Sequence, residues 1–535
     1  MDKAMHMGKS SATGSFQLLI GVVGSTVIMA VGTFVLAMLL SDAELGLYGV
    51  ALIPSSMINF FRDWGVNAAM TQQIASLKAA NRDTEIHGVI VSGVVFEVLS
   101  GAVLALLCFG LAGFLASALQ RPEVATLISI MALSIFLGAV LAAASAVFIG
   151  YEKMKFNSFT TIFQAIIKTG VGPFLVILGY GVLGAVIASS LSVVAAGVVG
   201  IVMVYFMFYR HLRKSKIGRG DIFKNIKSML KFGIPLTVAN LVIGVLPQVF
   251  AFTMALYAGD AMMGNYYAAT YFAVIATFIS IPIATALFPA FAKLKPKEEP
   301  ELLKTVFVSS VKYASVLLVP ATLIVMSLAN PIVGTLFNTK FPHAPLFLAI
   351  SSIINLYAVV GSLSLGTLLT GIGETKQLMK QSLLSLALGL PLAYLMVSYF
   401  GAMGGAVYAV VGGILGILIS NLPALIWGLL WIWKHYHVKA DFKISAKILA
   451  ASALAAVVTY LSLDAFTAAP WIELAVGFLL FIVVYLVSAP LIGAVNQADV
   501  SNFRAMFSGL GVVSKLLEIP LKLVERTLKI RRRQN

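Results

Sequence analysis

The chain has 535 residues, of which 60% are hydrophobic and only 11% charged, and its mean hydropathy is +0.98. A water-soluble surface needs about a quarter of its residues charged, so a soluble globular domain is excluded. The net charge of +16 invites a nucleic-acid reading, but the positions of the basic residues, given below, point instead to the membrane surface. The single cysteine, Cys108, rules out a disulfide framework or a cysteine-based metal site within one chain.

Apolar runs of membrane-spanning length follow one another from end to end. They do not alternate in polarity as the strands of a membrane barrel would. Fourteen spans are predicted, in stretches 15–40, 47–75, 88–118, 124–149, 157–179, 182–207, 232–257, 264–290, 305–329, 346–370, 378–399, 404–432, 446–463 and 472–494. The opening MDKAMHMGKS resembles a signal-peptide head, but the apolar run from Phe16 to Leu40 is too long for one and lacks a cleavage site, so it is read as a retained first helix. Of the 37 lysines and arginines, thirty-two fall on the side of the N-terminus, two (Arg121, Lys340) on the other, and three (Arg62, Lys168, Lys312) within spans. That asymmetry is the positive-inside pattern. It predicts cytoplasmic termini, an even number of spans and a basic face turned to anionic lipid heads rather than to nucleic acid.

In chain order, the second span carries the first anomaly. It is apolar yet contains Arg62 and Asp63, which as helix neighbours point about 100° apart and each need a separate partner or water. Gly65 and Asn67 suggest that the regular helix loosens there. One reading has both charges snorkelling at the cytoplasmic end; the other has Arg62 facing a central cavity and an anion. In span three, Glu97 has Gly93 and Gly101 four residues to either side, a small–acid–small face that either packs closely or opens onto water, with Lys168 a candidate ion-pair partner. In span five Asn157, Thr161, Gln164 and Lys168 share one helix face. Such a polar stripe is read as a cavity wall.

A basic linker, 208–231, divides the chain. Beyond it, span seven has its own stripe of Thr237, Asn240, Gly244 and Gln248, and span nine sets Lys312 between Ser309 and Ser315. The Tyr266, Tyr267, Thr270, Tyr271 group in span eight is read first as interfacial aromatics. The second half also echoes the first. Asp42-x-x-x-Gly46-x-Tyr48 recurs as Asp260-x-x-x-Gly264-x-Tyr266, Gly150-x-x-Lys153 as Gly373-x-x-Lys376, and Gly181-x-x-Gly184 as Gly401-x-x-Gly404. Six spans per repeat predict two parallel halves related by an axis along the membrane normal, with a site at their interface. The expected layout is 1–207 as one six-helix lobe, 208–231 as linker, 232–433 as the second lobe, 434–494 as two additional spans and 495–535 as a basic tail. Apolar and basic residues in that tail suit an amphipathic surface helix, although Pro520 argues against a continuous one.

Taken together, Arg62, Lys168, Lys312, Gln164 and Asn240 are the candidate substrate-binding residues, and Asp63 and Glu97 the candidate coupling or charge-balancing acids. The cations suit a phosphate or pyrophosphate and the polar stripe suits hydroxyls. The acids would balance the cations or carry a coupling proton or sodium ion. No Walker-type loop, histidine–acid metal cluster or nucleophile–base constellation can be read, and no cofactor or metal is expected.

Leu45-Gly-Leu-Tyr-Gly49, Arg62-Asp-Trp-Gly65, Gly150-Tyr-Glu-Lys153, Gly179-Tyr-Gly-Val-Leu-Gly-Ala185, Gly371-Ile-Gly-Glu-Thr-Lys376 and Tyr399-Phe-Gly-Ala402 together resemble the polysaccharide-transporter branch of the multidrug/oligosaccharidyl-lipid/polysaccharide exporter superfamily, the Wzx-type flippases. The resemblance covers nearly the whole chain. It implies two six-helix lobes in a V, two additional helices, and alternating access of a central cationic cavity. A lipid-linked oligosaccharide would move to the outer leaflet with its polyprenyl tail left in lipid. It implies a multi-pass inner-membrane protein with no enzymatic activity, and glycan polymerases or glycosyltransferases as candidate partners. Two relatives in the superfamily remain as alternatives. Lipid II flippases carry arginines in the first and second spans, whereas span one here has no charge. Drug/cation antiporters usually have twelve spans and an acid in span one or seven, which both lack one here. A membrane glycan polymerase or ligase would need a larger outer loop.

Overall fold

In the computed structural model the backbone is described for all residues except 1, 211–217, 295, 297, 466–467, 508–511 and 535. Side chains are described except at those positions and at 2–20, 219, 235–236, 238–240, 243, 282, 285–286, 289, 505–507, 512–517 and 530–534. The described residues are helical almost throughout and contain no strand. This is what a bilayer demands of a chain that must satisfy its backbone hydrogen bonds internally.

The helices are α1 (Asp2–Leu39), α2 (Asp42–Asn59), α3 (Val66–Ala79), α4 (Asp83–Ala118), α5 (Val124–Gly150), α6 (Met154–Leu175) and α7 (Gly181–Val204). Beyond residues 211–217 come α8 (Arg219–Tyr257), α9 (Asp260–Tyr271), α10 (Ala273–Ala292), α11 (Pro300–Ser327), α12 (Ala329–Phe337), α13 (Ala344–Leu356) and α14 (Ser362–Gly371). The chain closes with α15 (Thr375–Tyr436), α16 (Phe442–Asp464), α17 (Pro470–Ile492), α18 (Gln497–Phe507) and α19 (Val512–Gln534). Among the described residues eight helical segments are long and apolar enough to cross a membrane, and a ninth follows if the bent pair 344–360 and 362–371 counts as one. α4 leaves Leu99, Val103, Leu106, Phe109 and Phe114 between 60% and 71% exposed. A surface of that kind belongs in lipid, and the chain is a multi-pass membrane protein.

Two of the long runs are hairpins. Between α6 and α7, Gly179 and Gly181 take φ of 91° and 48°, which only glycine adopts cheaply. α7 then packs on α6, so that a Cβ on Gly172 would touch Ala188 at 3.6 Å. Within α15, Gly404 and Gly405 break the helix, and Gly401 on one limb faces Ala409 on the other.

The chain packs as two compact units, one of Met1–Tyr267 with Leu386–Gly416, the other of Ala268–Ser385 with Ile417–Asn535. In the first, α3, α4 and α5 surround a core of Val66, Met70, Ile74, Ile90 and Phe148, joined by Met229 of α8. α8 therefore begins inside the stretch expected as linker: residues from Arg219 onward are helix and pack on α3 and α4. Along α1, Gly21, Gly24 and Gly32 receive Ser158, Ile162 and Thr169 of α6, the small-residue contact by which membrane helices approach closely.

The second unit has one core of Val319, Ile448, Phe481 and Tyr485, and another of Phe291, Phe307, Leu368 and Ile432. The tail is part of the first of these cores. Val524 and Leu528 of α19 are buried in it, and Arg504 of α18 holds Glu518 at 2.8 Å and Glu525 at 3.1 Å. α19 runs unbroken through Pro520, contrary to the sequence expectation of a break. Docking on α17 and α18 supplies what the proline removes, since tertiary packing rather than propensity carries most helix stability.

Candidate functional site

The first unit brings four of the polar groups of spans two and three together. α2 ends at Asn59, and the chain turns through Trp64 (φ 47°) and Gly65 (φ 76°) before α3 starts at Val66. Gly65 has no room for a side chain, because Gly233 of α8 lies against it. The break gives Arg62 and Asp63 different tasks. Asp63 Oδ1 accepts from the backbone N–H of Asn67 at 2.9 Å and so caps the first turn of α3. Arg62 turns toward α4. Its Nε lies 3.3 Å from Oε2 of Glu97, with side-chain exposures of 12% and 0%. Its Nη1 donates to Asn59 Oδ1 at 3.0 Å. A Cβ on Gly138 of α5 would come within 3.1 Å of Nη1, so the absent side chain there makes the arginine's channel.

Glu97 also accepts from Asn67 Nδ2 at 2.9 Å through Oε1. Its other oxygen, Arg62 Nε and Asn67 Oδ1 are buried without a hydrogen-bond partner among the described residues. The ion pair is thus close but not aligned for a hydrogen bond. Gly93 meets Met70 of α3, and Gly101 meets Ala139 of α5, so the small–acid–small face is a close-packing face. The partner suggested for Glu97, Lys168, is not its partner; Arg62 is.

The remaining candidates lie elsewhere. On α6, Asn157 is buried while Thr161, Gln164 and Lys168 are half-buried. Thr161 spends its hydroxyl on the backbone carbonyls of Asn157 and Ser158. Lys168 makes no ion pair among the described residues. On α8, Thr237 bonds back to Gly233, and Gly244 lies under the ring of Phe60; the side chain of Asn240 falls outside the described residues. Lys312 belongs to the second unit, where Nζ is 2.6 Å from both oxygens of Asp499 on α18, and Tyr313 adds its hydroxyl to the same carboxylate. There it ties α11 to the tail.

Sequence reasoning missed Asn67 and Gly138 as cluster members. An amide four residues after an in-span acid is a helix-cap signal, whereas a lone glycine in an apolar helix gives none. Nor does sequence give any sign of what Arg121 binds. Its guanidinium is buried, donating to Asp260 and to the carbonyls of Leu119, Ala255 and Ala258. Beside it the matched stretches pack on each other reciprocally. A Cβ on Gly46 would strike the carbonyl of Asp260, and one on Gly264 the carbonyl of Asp42.

A family model described as polysaccharide biosynthesis protein matches residues 11–295. Among solved structures, the lipid II flippase MurJ in an inward closed conformation superposes with a TM-score of 0.69 at 16% identity, over 88% of this chain and 97% of that one. An inward-facing multidrug resistance MATE family transporter of the MOP superfamily gives 0.64 at 17% identity, over 79% and 98%. A MOP superfamily transporter from Pyrococcus furiosus gives 0.55 at 18% identity, over 80% and 96%. At these identities the likeness establishes the fold. No curated protein matches the chain.

Proposed function

The chain belongs to the polysaccharide biosynthesis protein family, and from that membership we propose that it is a flippase of lipid-linked oligosaccharide, working by alternating access for cell-surface glycan synthesis. The observation that carries the reading is the Arg62–Glu97 pair, buried in an apolar unit with hydrogen-bonding capacity unspent on both sides. A charge in such a place is costly and usually functional. Glu97 balances Arg62 while the site is empty. A pyrophosphate that displaced it would meet the guanidinium through charge-assisted hydrogen bonds stronger than the misaligned contact it replaces. Lys168 and Gln164, half-buried on α6, are the second candidate contact, and a proton or sodium ion acting at Glu97 and Asp63 is the proposed coupling.

Fourteen crossings are part of the proposal. They follow if each hairpin counts as two spans, and α2 with α3, α9 with α10, and α13 with α14 as one broken span each. The excess of basic residues on one side supports cytoplasmic termini in an inner membrane. Lipid II is the alternative cargo.

The test is purified protein in liposomes loaded with fluorescent polyprenyl-diphosphate oligosaccharide. Movement between leaflets without chemical change is expected, with the double variant Arg62→Met and Glu97→Leu, or Lys168→Ala, reducing it while protein levels hold. Unimpaired movement in both variants removes those residues from the site. Movement of lipid II but no other glycan selects the alternative.

A further inference from the structure

The N-terminal part of α8 does more than lengthen a helix. Met229 is fully buried in the core of α3, α4 and α5 and fastens it there. Next to that anchor the facing surfaces are polar and stand apart, leaving a cavity of about 510 Å³, within the usual range for a ligand pocket. Gln73 and Ser76 of α3, Thr84 and Glu85 of α4, and Lys224 and Asn225 of α8 are among its walls. In the proposed orientation it opens on the cytoplasmic side.

Its chemistry narrows the ligand. Asn225 Nδ2 donates to Ser92 Oγ at 3.3 Å, and Gln73 Nε2 reaches Ser228 Oγ at 3.5 Å. Each amide keeps its carbonyl and a second N–H to offer. The two acids of the lining already have partners: Glu85 is held by Arg82 at 2.6 Å, and Asp221 accepts from the N–H of Gly218 at 3.2 Å. With Lys224 as the one cation in the lining, there is no net positive field to hold a phosphate. An apolar ligand would strip water from amides and hydroxyls without replacing it. A neutral, hydroxyl-rich molecule replaces that water group for group, since each hydroxyl both donates and accepts.

We propose that this cavity is a docking subsite for neutral sugar units of the glycan, distinct from the Arg62 cluster. The proposal rests on the flippase reading and divides recognition along α3. Asn67 at the head of the helix belongs to the charged cluster, and Ser76, roughly 14 Å further along the axis, to the sugar subsite.

The experiment uses full-length protein in detergent and a panel of free neutral trisaccharides (maltotriose, cellotriose, triacetylchitotriose), read by saturation-transfer difference NMR. Saturation transfer to at least one sugar is expected. Gln73→Leu with Asn225→Leu weakens that binding about tenfold, as two lost hydrogen bonds would. Ser76→Trp fills the cavity from its exposed rim, away from the core, and produces the same loss. Gly110→Val, at a place on α4 with nothing near it, leaves sugar binding intact. No transfer to any sugar, or equal transfer in the wild type and both cavity variants, overturns the subsite. Sugar binding that behaves as expected in a protein that moves no lipid-linked glycan in liposomes leaves the subsite standing and overturns the flippase reading.

Discussion

Arg121 and Asp260, 139 residues apart, form an ion pair at the connector between α4 and α5 and the start of α9. The arginine also donates to three backbone carbonyls, at 2.6 to 3.0 Å. Alongside, Gly46 and Gly264 admit the carbonyls of Asp260 and Asp42 in turn. A planar guanidinium with five donors suits this task, whereas an ammonium cannot span the same acceptors. Arg121→Ala is expected to cost about 2–3 kcal/mol, because the carbonyls of Leu119, Ala255 and Ala258 lose a charged donor while the Asp260 carboxylate, 30% exposed, is left to water. Arg121→Lys recovers only part of it. Thermal unfolding in detergent measures both.

The close approach of α2 and α9 gives a second prediction. A side chain at Gly46 or Gly264 has backbone in its way rather than a flexible neighbour, so the helices must separate. Gly46→Val and Gly264→Val should each lower the melting temperature sharply. Gly110→Val, with nothing nearby, should leave it nearly unchanged.

The Arg62–Glu97 pair separates stability from function. Glu97→Ala leaves a buried guanidinium unbalanced and is expected to destabilise by about 3–5 kcal/mol. Arg62→Met with Glu97→Leu removes both charges and should restore the melting temperature, since apolar replacement of a buried pair is often neutral or better. Glycan movement should stay lost in the double variant. Recovery of transport together with stability would make the pair purely structural.

Lys312 and Asp499 predict a different phenotype. Asp499 is 4% exposed and its carboxylate also accepts from the N–H of Asn496, so it holds both the lysine and the start of α18. Lys312→Ala and Asp499→Asn should behave alike, both making the tail more sensitive to trypsin at Arg504. A transport defect in Lys312→Ala that Asp499→Asn does not share would return Lys312 to the substrate.

The tail clamp should respond to acid in a defined direction. The Arg504 guanidinium beside Glu518 holds that carboxyl below its ordinary range. A lowered folded value means that the contribution is complete above the ordinary carboxylate range and is lost as pH falls through the lowered one. Tail protection should therefore persist at mildly acidic pH and fade only in stronger acid. Glu518→Gln should weaken that dependence, leaving the part carried by Glu525 and Asp499, read by trypsin sensitivity across a pH series adjusted for protease activity.

Part of the site was legible in the sequence. The Arg62–Asp63 anomaly and Gly65 marked the place where α2 breaks, because a charge and a glycine in an apolar run are local facts. The pairing of Glu97 was not legible. Spacing sets Glu97 between two glycines, on a face that either packs closely or opens onto water, and offers only Lys168 as its partner; the gap left by Gly138 is what lets Arg62 take that place. The order of residues 219–231 was hidden for a related reason. A charged stretch reads as a connection unless the partner surface for Met229 is known.

Composition and run length are enough to establish a chain of membrane helices and to mark the few charges that interrupt its apolar runs. A bilayer imposes limits that act on short windows, since each stretch must be apolar for the right length and must satisfy its own backbone. Which charges meet is settled by packing. Lys312 finds Asp499 across 187 residues and Arg121 finds Asp260 across 139. Such pairings depend on how closely helices approach, which is set by small residues facing one another on different helices rather than by any pattern along one of them.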